Sequence, residues 1–348
     1  MLKNNIYIGW DIGGAHLKYT VLKSNSITAD CRVVKCELWK DLSYLKIFID
    51  EIYKKYKKDF NIINGITMSG EMSDIFISRR DGVIKILSLF EKYKKSSFVY
   101  TNNGLMNLSK NINYLNIASL NWLLIADYLK NYDKDLIAID FGSTTTDIIL
   151  IKNNICINKR VDDFTGLKYS ELIYTGILRT PVYSITNQVN LNSVIFKVIP
   201  ENFATMSDIY RILLIINNRD DYSSSSDNGA KTVIGSMKRL ARVFGFDYTE
   251  SYKKIIIGLS KKIMKIQLTQ IDNVIINHIN KKYMKKDNLK IIGLGVGENL
   301  LNSIYSESKL NYISLENYIN ARYFKKNKRP SVVAPSYFLC KLLKSIYE

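Results

Sequence analysis

The 348-residue chain is poor in the residues that build common metal and disulfide centres, with two histidines and four cysteines. Cys31, Cys36, Cys156 and Cys340 include no C-x-x-C pair, and with only His16 and His278 beside them the usual His/Cys zinc sites are excluded. Reduced, structural thiols are expected. Proline is equally scarce, at positions 181, 200, 330 and 335, which excludes long proline-rich linkers. No apolar run reaches the roughly 18 residues that a membrane-spanning helix needs. The start, Met1-Leu-Lys-Asn-Asn, enters a strand-like run without the apolar stretch of a signal peptide, so a cytoplasmic protein with no membrane partner is expected.

Charge of one sign is abundant instead. The formal net charge is +18, with basic clusters at Lys54–Lys58, Lys281–Lys286 and Lys325–Arg329, the first two interleaved with tyrosine, a composition that brings nucleic acid into consideration. The clusters are dispersed, however, and the whole chain is rich in Lys, Asn, Ile and Tyr. They read as solvated faces, and nucleic acid is not the expected partner. Some of the charge can attract a small phosphorylated substrate.

Two aspartate-led glycine loops carry the chemistry: Asp11-Ile-Gly-Gly-Ala-His-Leu-Lys18 and Asp140-Phe-Gly-Ser-Thr-Thr-Thr-Asp147. Each follows one β-rich run (Ile6–Trp10; Leu136–Ile139) and precedes another (Leu17–Leu22; Ile148–Ile151), the pattern of a hairpin rather than a strand-to-helix P-loop. Gly13, Gly14 and Gly142 allow close backbone approach to an anion. Backbone N–H groups and the hydroxyls of Ser143, Thr144 and Thr145 can donate to phosphate oxygens, leaving the aspartates to hold Mg²⁺. One such turn is common in any hairpin; the device occurring twice, each time after a strand, points to two halves of one phosphate clamp.

The surrounding pattern restarts with the loops. Arg32–Leu38 reads as a third strand, and Leu42, Leu45, Phe48, Ile49, Ile52, Tyr53 and Tyr56 mark a helix face. Gly65–Ser69 and Phe98–Tyr100 read as strands and Ile117–Leu129 as an apolar helix. The order begins again at Leu136, with Ile155–Arg160 as third strand, a faint internal duplication. The expected division is an N-terminal lobe, 1–132, and a C-terminal lobe, 133–348, with helices over Ala230–Phe244 and Glu250–Ile279 and a polar loop, Tyr222–Gly229, that reads equally as linker or lid. A third motif, Gly293-Leu-Gly-Val-Gly-Glu298, follows a strand-like run. Its spacing departs from the dinucleotide fingerprint and Glu298 would repel a pyrophosphate, so Gly295 and Gly297 are assigned to a substrate-binding turn of the second lobe.

Two Asp-Gly hairpins and a late glycine turn resemble the acetate and sugar kinase, Hsp70 and actin superfamily, which implies an α/β, two-lobed, actin-like ATPase fold with duplicated lobes. A nearer resemblance rests on Ile8–Lys18, Thr67–Asp74, Ala118–Trp122, Asp140–Asp147, Tyr174–Val182, Phe203–Tyr210 and Met237–Arg242, which occur in one order across nearly the whole chain. These blocks are similar to the tetrahydromethanopterin-linked C1-transfer proteins of the hydantoinase A/oxoprolinase-like family. That group is similar to archaeal methanofuran-biosynthesis enzymes that join an aminomethylfuran-methyl diphosphate to the phenol of γ-glutamyltyramine with release of diphosphate. The resemblance implies a Mg²⁺-dependent transferase of alkyl or aryl groups other than methyl, with a small diphosphate substrate and a phenolic acceptor as partners. Assembly as a homo-oligomer is left open.

The implied metal set is Asp11, Asp140 and Asp147, with Asp11 and Asp140 counted as catalytic. Gly13, Gly14, Lys18, Gly142, Ser143, Thr144 and Thr145 form the implied phosphate cradle. Glu71 is preferred over Asp74 as a general base for the phenol. His16 and Arg179 are assigned to substrate binding, Arg179 as a clamp for diphosphate or the glutamyl carboxylate. Asp208 is explained by stabilisation of a helix N-terminus. The rival readings are an ATP-dependent kinase or oxoprolinase-like hydrolase, which shares both loops, and a non-catalytic actin-like scaffold.

Overall fold

The computed structural model describes residues 3–218, 221, 223–281, 289–305, 311–319 and 329–348. The clusters expected at Lys281–Lys286 and Lys325–Arg329 lie, apart from Lys281 and Arg329, outside the described residues, as does Tyr222. No described helix is long and apolar enough to cross a membrane.

Two sheets organise the chain. The first contains β1 (Asn4–Ile12), β2 (His16–Lys23), β3 (Ala29–Lys35), β4 (Phe60–Met68), β5 (Ser97–Thr101) and β6 (Gly104–Asn107), in the order β3-β2-β1-β4-β5-β6. The second contains β7 (Leu136–Phe141), β8 (Thr146–Lys152), β10 (Leu172–Ile173), β13 (Lys290–Leu294) and β14 (Asn311–Ser314), in the order β10-β8-β7-β13-β14, with the short β9 (Ile155–Cys156) beside β8. In both, the first two strands form an antiparallel hairpin, and the first then pairs in parallel with a later strand. The parallel neighbours β4 and β13 bury both faces, with Ile62, Ile63, Ile66 and Met68 in β4 and Ile291, Ile292 and Leu294 in β13, and Asn64 and Thr67 among the buried positions of β4. Repetition of this strand order accounts for the duplication faintly legible in the sequence.

The last helix departs from the division at 132/133. Ala334–Tyr347 lies against β1, β2 and β4 of the first sheet and against the helix Asn121–Leu129. Gly9 permits this approach: a Cβ there would stand 1.8 Å from the Ser336 carbonyl oxygen, and the Gly9 amide donates to Cys340 Sγ at 3.1 Å. The two helices share one buried cluster with residues of both sheets, among them Tyr7, Ile63, Ala138, Ile149 and Leu294. That shared core fixes the lobes beside each other and so sets the cleft between their loops.

Several boundaries differ from expectation for local reasons. The third strand ends at Lys35 because Cys36 and Leu38 turn their amides onto the Ala15 and Gly14 carbonyls, at 3.0 and 2.9 Å, folding the chain over the first loop. Within Ile155–Arg160 the strand ends at Cys156, with one further backbone bond from the Ile157 amide to the Leu150 carbonyl at 2.9 Å. Asn158 then takes the edge of β8 with its side chain, accepting from the Leu150 amide and donating to the Ile148 carbonyl, both at 2.8 Å, and β10 serves as the outer strand. The helix begins at Asn121 rather than Ile117, since Ser119 holds a left-handed φ of 54°. A small hairpin, β11 (Gln188–Leu191) and β12 (Val194–Lys197), turns through Asn192 and Ser193, both at positive φ.

Candidate functional site

The two expected hairpins are the same device built twice. Asp11 and Asp140 are the next-to-last residues of β1 and β7, and each faces, across its antiparallel pair, the residue seven positions later, Lys18 or Asp147. Each turn is closed by its glycine: Gly13 N–H donates to the His16 carbonyl at 3.0 Å, and Gly142 N–H to the Thr145 carbonyl at 2.9 Å. A Cβ at either position would stand 3.0–3.1 Å from that same oxygen, tight for any side chain. Both loops open onto one cleft of about 510 Å³ lined by Asp11, Gly13, Gly14, His16, Lys18, Asp140, Gly142, Ser143, Thr144, Thr145, Asp147 and Arg179.

The electrostatics of the cleft are dominated by carboxylates out of water. Desolvation pushes the Asp140 carboxyl up to about 7; Lys18 opposes the shift, while Asp147 and Asp11 reinforce it. Asp11, 2% exposed, is raised for the same leading reason, opposed by Lys18, whose Nζ stands 3.8 Å from its Oδ2. Asp147 is already paired: Arg160 binds its Oδ1 through Nη1 and Asp163 through Nη2 at 2.9 Å. His16 is buried, and burial together with Lys18 and Arg179 lowers it to about 4, so it meets a ligand as a neutral imidazole.

Among the described residues no group of three or more His, Cys, Asp or Glu encloses a metal. The pair Asp11 and Asp140 suits a hydrated hard cation, because Mg²⁺ commonly takes one or two carboxylates and completes its shell with water and substrate phosphate. Two desolvated carboxyls, of which Asp140 is raised further by Asp11 and both by Asp147, are relieved by such a charge. Asp147, engaged by Arg160, is the weaker donor of the expected three.

Arg179 reaches the cleft because its segment is bonded to the second loop. Ile177 N–H donates to the Gly142 carbonyl at 3.0 Å, and Arg179 N–H to that of Ser143 at 2.9 Å. Its guanidinium stands 5.1 Å from the ring centre of Trp39, which the fold-over at Cys36–Leu38 carries to the opposite wall. Trp39, Tyr174, Met72 and Arg160 also line the cleft and were not singled out from sequence. The lone tryptophan after a strand was the only available signal for Trp39, and Arg160 gave none.

Three expected site residues, Glu71, Gly295 and Gly297, are not among those lining the cleft. Glu71 is fully buried away from the cleft, accepting from Ser119 Oγ at 2.7 Å with Arg79 at 3.8 Å, and burial raises its carboxyl. Asp74 of the same segment lines the cleft instead. Gly295, at φ 89°, and Gly297 are packing residues: a Cβ on them would meet Asp140 Oδ1 at 2.4 Å and the Phe141 ring at 2.3 Å. The third glycine turn thus presses on the end of β7 and supports the second loop from behind.

The serine-rich loop is tied down rather than a plain linker. Asp227 pairs with Arg239 and Arg242 at 3.1 and 3.2 Å, Asp221 pairs with Arg211, and Lys35 of the first lobe donates to Ser224 Oγ at 3.2 Å. Asp208 caps its helix through the Thr205 amide, as expected, and also binds Ser236 and Arg239, both at 2.7 Å.

The model of the hydantoinase/oxoprolinase family matches residues 63–321. Over 341 residues and 97% of both chains, the protein is 28% identical to a synthase from Methanocaldococcus jannaschii. That synthase is named for a furan-2-yl methanamine whose phenoxymethyl group carries a gamma-L-glutamylaminoethyl chain. The same-named synthase of Methanococcus vannielii is 31% identical over 221 residues, 62% of this chain and 94% of that one. Among solved structures, nucleotide-free acetone carboxylase superposes with a TM-score of 0.57 at 10% identity, covering 97% of this chain and 70% of that one. The architecture is the two-lobed actin-like ATPase fold.

Proposed function

This chain belongs to the hydantoinase/oxoprolinase family, and from that premise we propose that it is a Mg²⁺-dependent transferase of methanofuran-type cofactor biosynthesis, serving tetrahydromethanopterin-linked C1 metabolism. It couples an aminomethylfuran-methyl diphosphate to the phenol of a glutamyltyramine-like acceptor. The observation that carries this reading is the similarity, over 97% of both chains, to a synthase whose named product contains the phenoxymethyl-furan ether. The convergence of both hairpins on one cleft supports it.

In this reaction the phenol oxygen forms a bond to the furan methylene carbon, and the bond from that carbon to diphosphate breaks. Asp11 and Asp140 would hold Mg²⁺, which when bound neutralises charge growing on the leaving group. Lys18 and the donors of Ser143, Thr144 and Thr145 hold the diphosphate, and such preorganised donors act most strongly where water is excluded. Arg179 and Trp39 orient the substrate across the cleft. Asp74, the carboxylate of its segment that lines the cleft, takes the phenol proton.

Incubation with the furan diphosphate, a tyramine derivative and Mg²⁺, without ATP, tests the proposal. Phosphorus NMR should show one pyrophosphate per ether formed. Production of ADP on addition of ATP, or an absolute ATP requirement for coupling, would move the protein to the kinase or hydrolase reading.

A further inference from the structure

The floor and the mouth of the cleft differ in chemistry. Asp11, His16 and Asp147 are buried, whereas Met72 and Tyr174 at its edge are 53% and 60% exposed. Among the described residues lining the cleft, Met72, Tyr174 and the half-buried Trp39 are the large apolar side chains, apart from the buried Leu172. Single exposed apolar residues are ordinary on a protein surface. Three that converge on one polar cleft, two from the first lobe and one from the second, supply the apolar wall that a ligand site needs beside its polar groups.

Each of the three is tied to one of the aspartate-led loops. The Leu38 amide, next to Trp39, donates to the Gly14 carbonyl at 2.9 Å. Met72 stands in a turn that Ser73 closes through its Oγ on the Gly70 carbonyl at 2.8 Å, and the Ser69 and Gly70 amides both donate to the Ile12 carbonyl at 3.0 Å. Gly70 has no room for a side chain, because a Cβ there would stand 2.9 Å from the Gly13 carbonyl carbon. On the opposite wall Thr146 Oγ1 donates to the Thr175 carbonyl, next to Tyr174, at 2.7 Å, and a Cβ on Gly176 would stand 2.5 Å from the Thr144 amide nitrogen. The apolar mouth is thus held in register with both loops, and Asp74 follows Met72 by two positions.

We propose that Trp39, Met72 and Tyr174 form the subsite for the aromatic ring of the acceptor and make the enzyme select a phenol over a saturated alcohol. The proposal rests on the transferase reading and adds to it the residues that choose the acceptor. Two aromatic side chains and a thioether favour an aryl ring beyond the area they bury, since ring–ring and sulfur–ring contacts are lost with a saturated ring. The diphosphate occupies the loops below, so the two ligands do not compete. Arg179, drawn to the diphosphate, leaves the Trp39 face open to the ring.

The probes are 4-ethylphenol and its saturated counterpart 4-ethylcyclohexanol, both neutral, added to the full chain and followed by saturation-transfer NMR with and without Mg²⁺ and inorganic diphosphate. The phenol should bind at millimolar concentration and at least about fivefold more tightly than the cyclohexanol, and Mg²⁺ with diphosphate should not displace it. Met72→Ala and Tyr174→Ala, at positions exposed enough to leave folding intact, should each weaken phenol binding about fivefold, with Tyr174→Phe within about twofold of the wild type. In the coupling reaction the two alanine variants should raise KM for the acceptor by the same factor and leave KM for the furan diphosphate unchanged, a split that a merely structural effect would not give. The proposal is overturned by no saturation transfer up to about 10 mM, by equal binding of the two probes, by displacement with diphosphate, or by wild-type phenol binding in both alanine variants. Phenol binding as described without ether or pyrophosphate formation would keep the ring subsite and remove the transferase reading. Ether formation with equal binding of the two probes would keep the reading and remove the subsite.

Discussion

Lys18 and Asp147 occupy equivalent positions in the two hairpins, each directly across from its loop aspartate, yet carry opposite charge. The duplication therefore produces an asymmetric cleft. Lys18 moderates Asp11 from 3.8 Å, whereas Asp147 adds to the negative field at Asp140 and is compensated from the side by Arg160.

That asymmetry separates two variants of the same chemical change. Asp11→Asn removes a carboxyl whose ionised form is disfavoured by burial, so folding should hold while turnover falls by about 10²–10³. Asp147→Asn leaves Arg160, 6% exposed, with Asp163 as its remaining carboxylate. Breaking a buried pair costs on the order of 3 kcal/mol, so this variant should lose stability as well as activity. Urea denaturation of both, beside single-turnover rates, checks the contrast; equal stability of the two would remove it.

Asp140 should make the ligand-free protein less stable as pH rises. Its carboxyl is pushed up to about 7 in the fold, whereas the unfolded chain loses that proton near pH 4. Between these values the folded state binds more protons, so stability falls as pH increases and is lowest above 7. Asp140→Asn lacks this proton and should exceed the wild type at pH 8 by a few kcal/mol, with the gap closing toward pH 4. Mg²⁺ should raise the wild-type Tm and leave the variant nearly unchanged. Thermal melts over this pH range, with and without Mg²⁺, read both effects.

Much of the site was legible because Asp-x-Gly with a charged residue seven positions on is a local pattern, and both copies sit between apolar runs that can only be central strands. What escaped depends on packing between distant segments. Leu172–Ile173 is too short to announce a strand, and Trp39 gains its role only when Cys36–Leu38 folds over the first loop. Glu71 and Asp74 follow the same strand end and look alike as sequence; the left-handed turn at Ser119 brings a hydroxyl that claims Glu71. Gly295 and Gly297 read as ligand contacts, but the space they leave open is filled by Asp140 and Phe141.

The two carboxylates of that strand end should accordingly behave differently. Glu71→Gln keeps a group able to accept from Ser119 Oγ and should leave kcat within about threefold. Asp74→Asn should lower it roughly a hundredfold, the usual scale for loss of a positioned proton acceptor. A loss confined to Asp74→Asn in single-turnover rates would assign the proton to Asp74; a larger loss in Glu71→Gln would return the role to Glu71.

Trp39 offers a direct view of cleft occupancy. The chain has three tryptophans; Trp10 and Trp122 are 0% and 4% exposed, whereas Trp39 is half-buried on the cleft wall beneath Arg179. Inorganic diphosphate with Mg²⁺ competes for the guanidinium and should weaken its contact with the indole, changing the emission. Trp39→Phe preserves a ring for Arg179 but should abolish the signal, with KM raised only modestly. Trp39→Ala loses a cation–π contact of about 1 kcal/mol and should raise KM about fivefold with a smaller effect on kcat. An unchanged emission signal in Trp39→Phe would place the responding tryptophan elsewhere and remove Trp39 from the substrate wall.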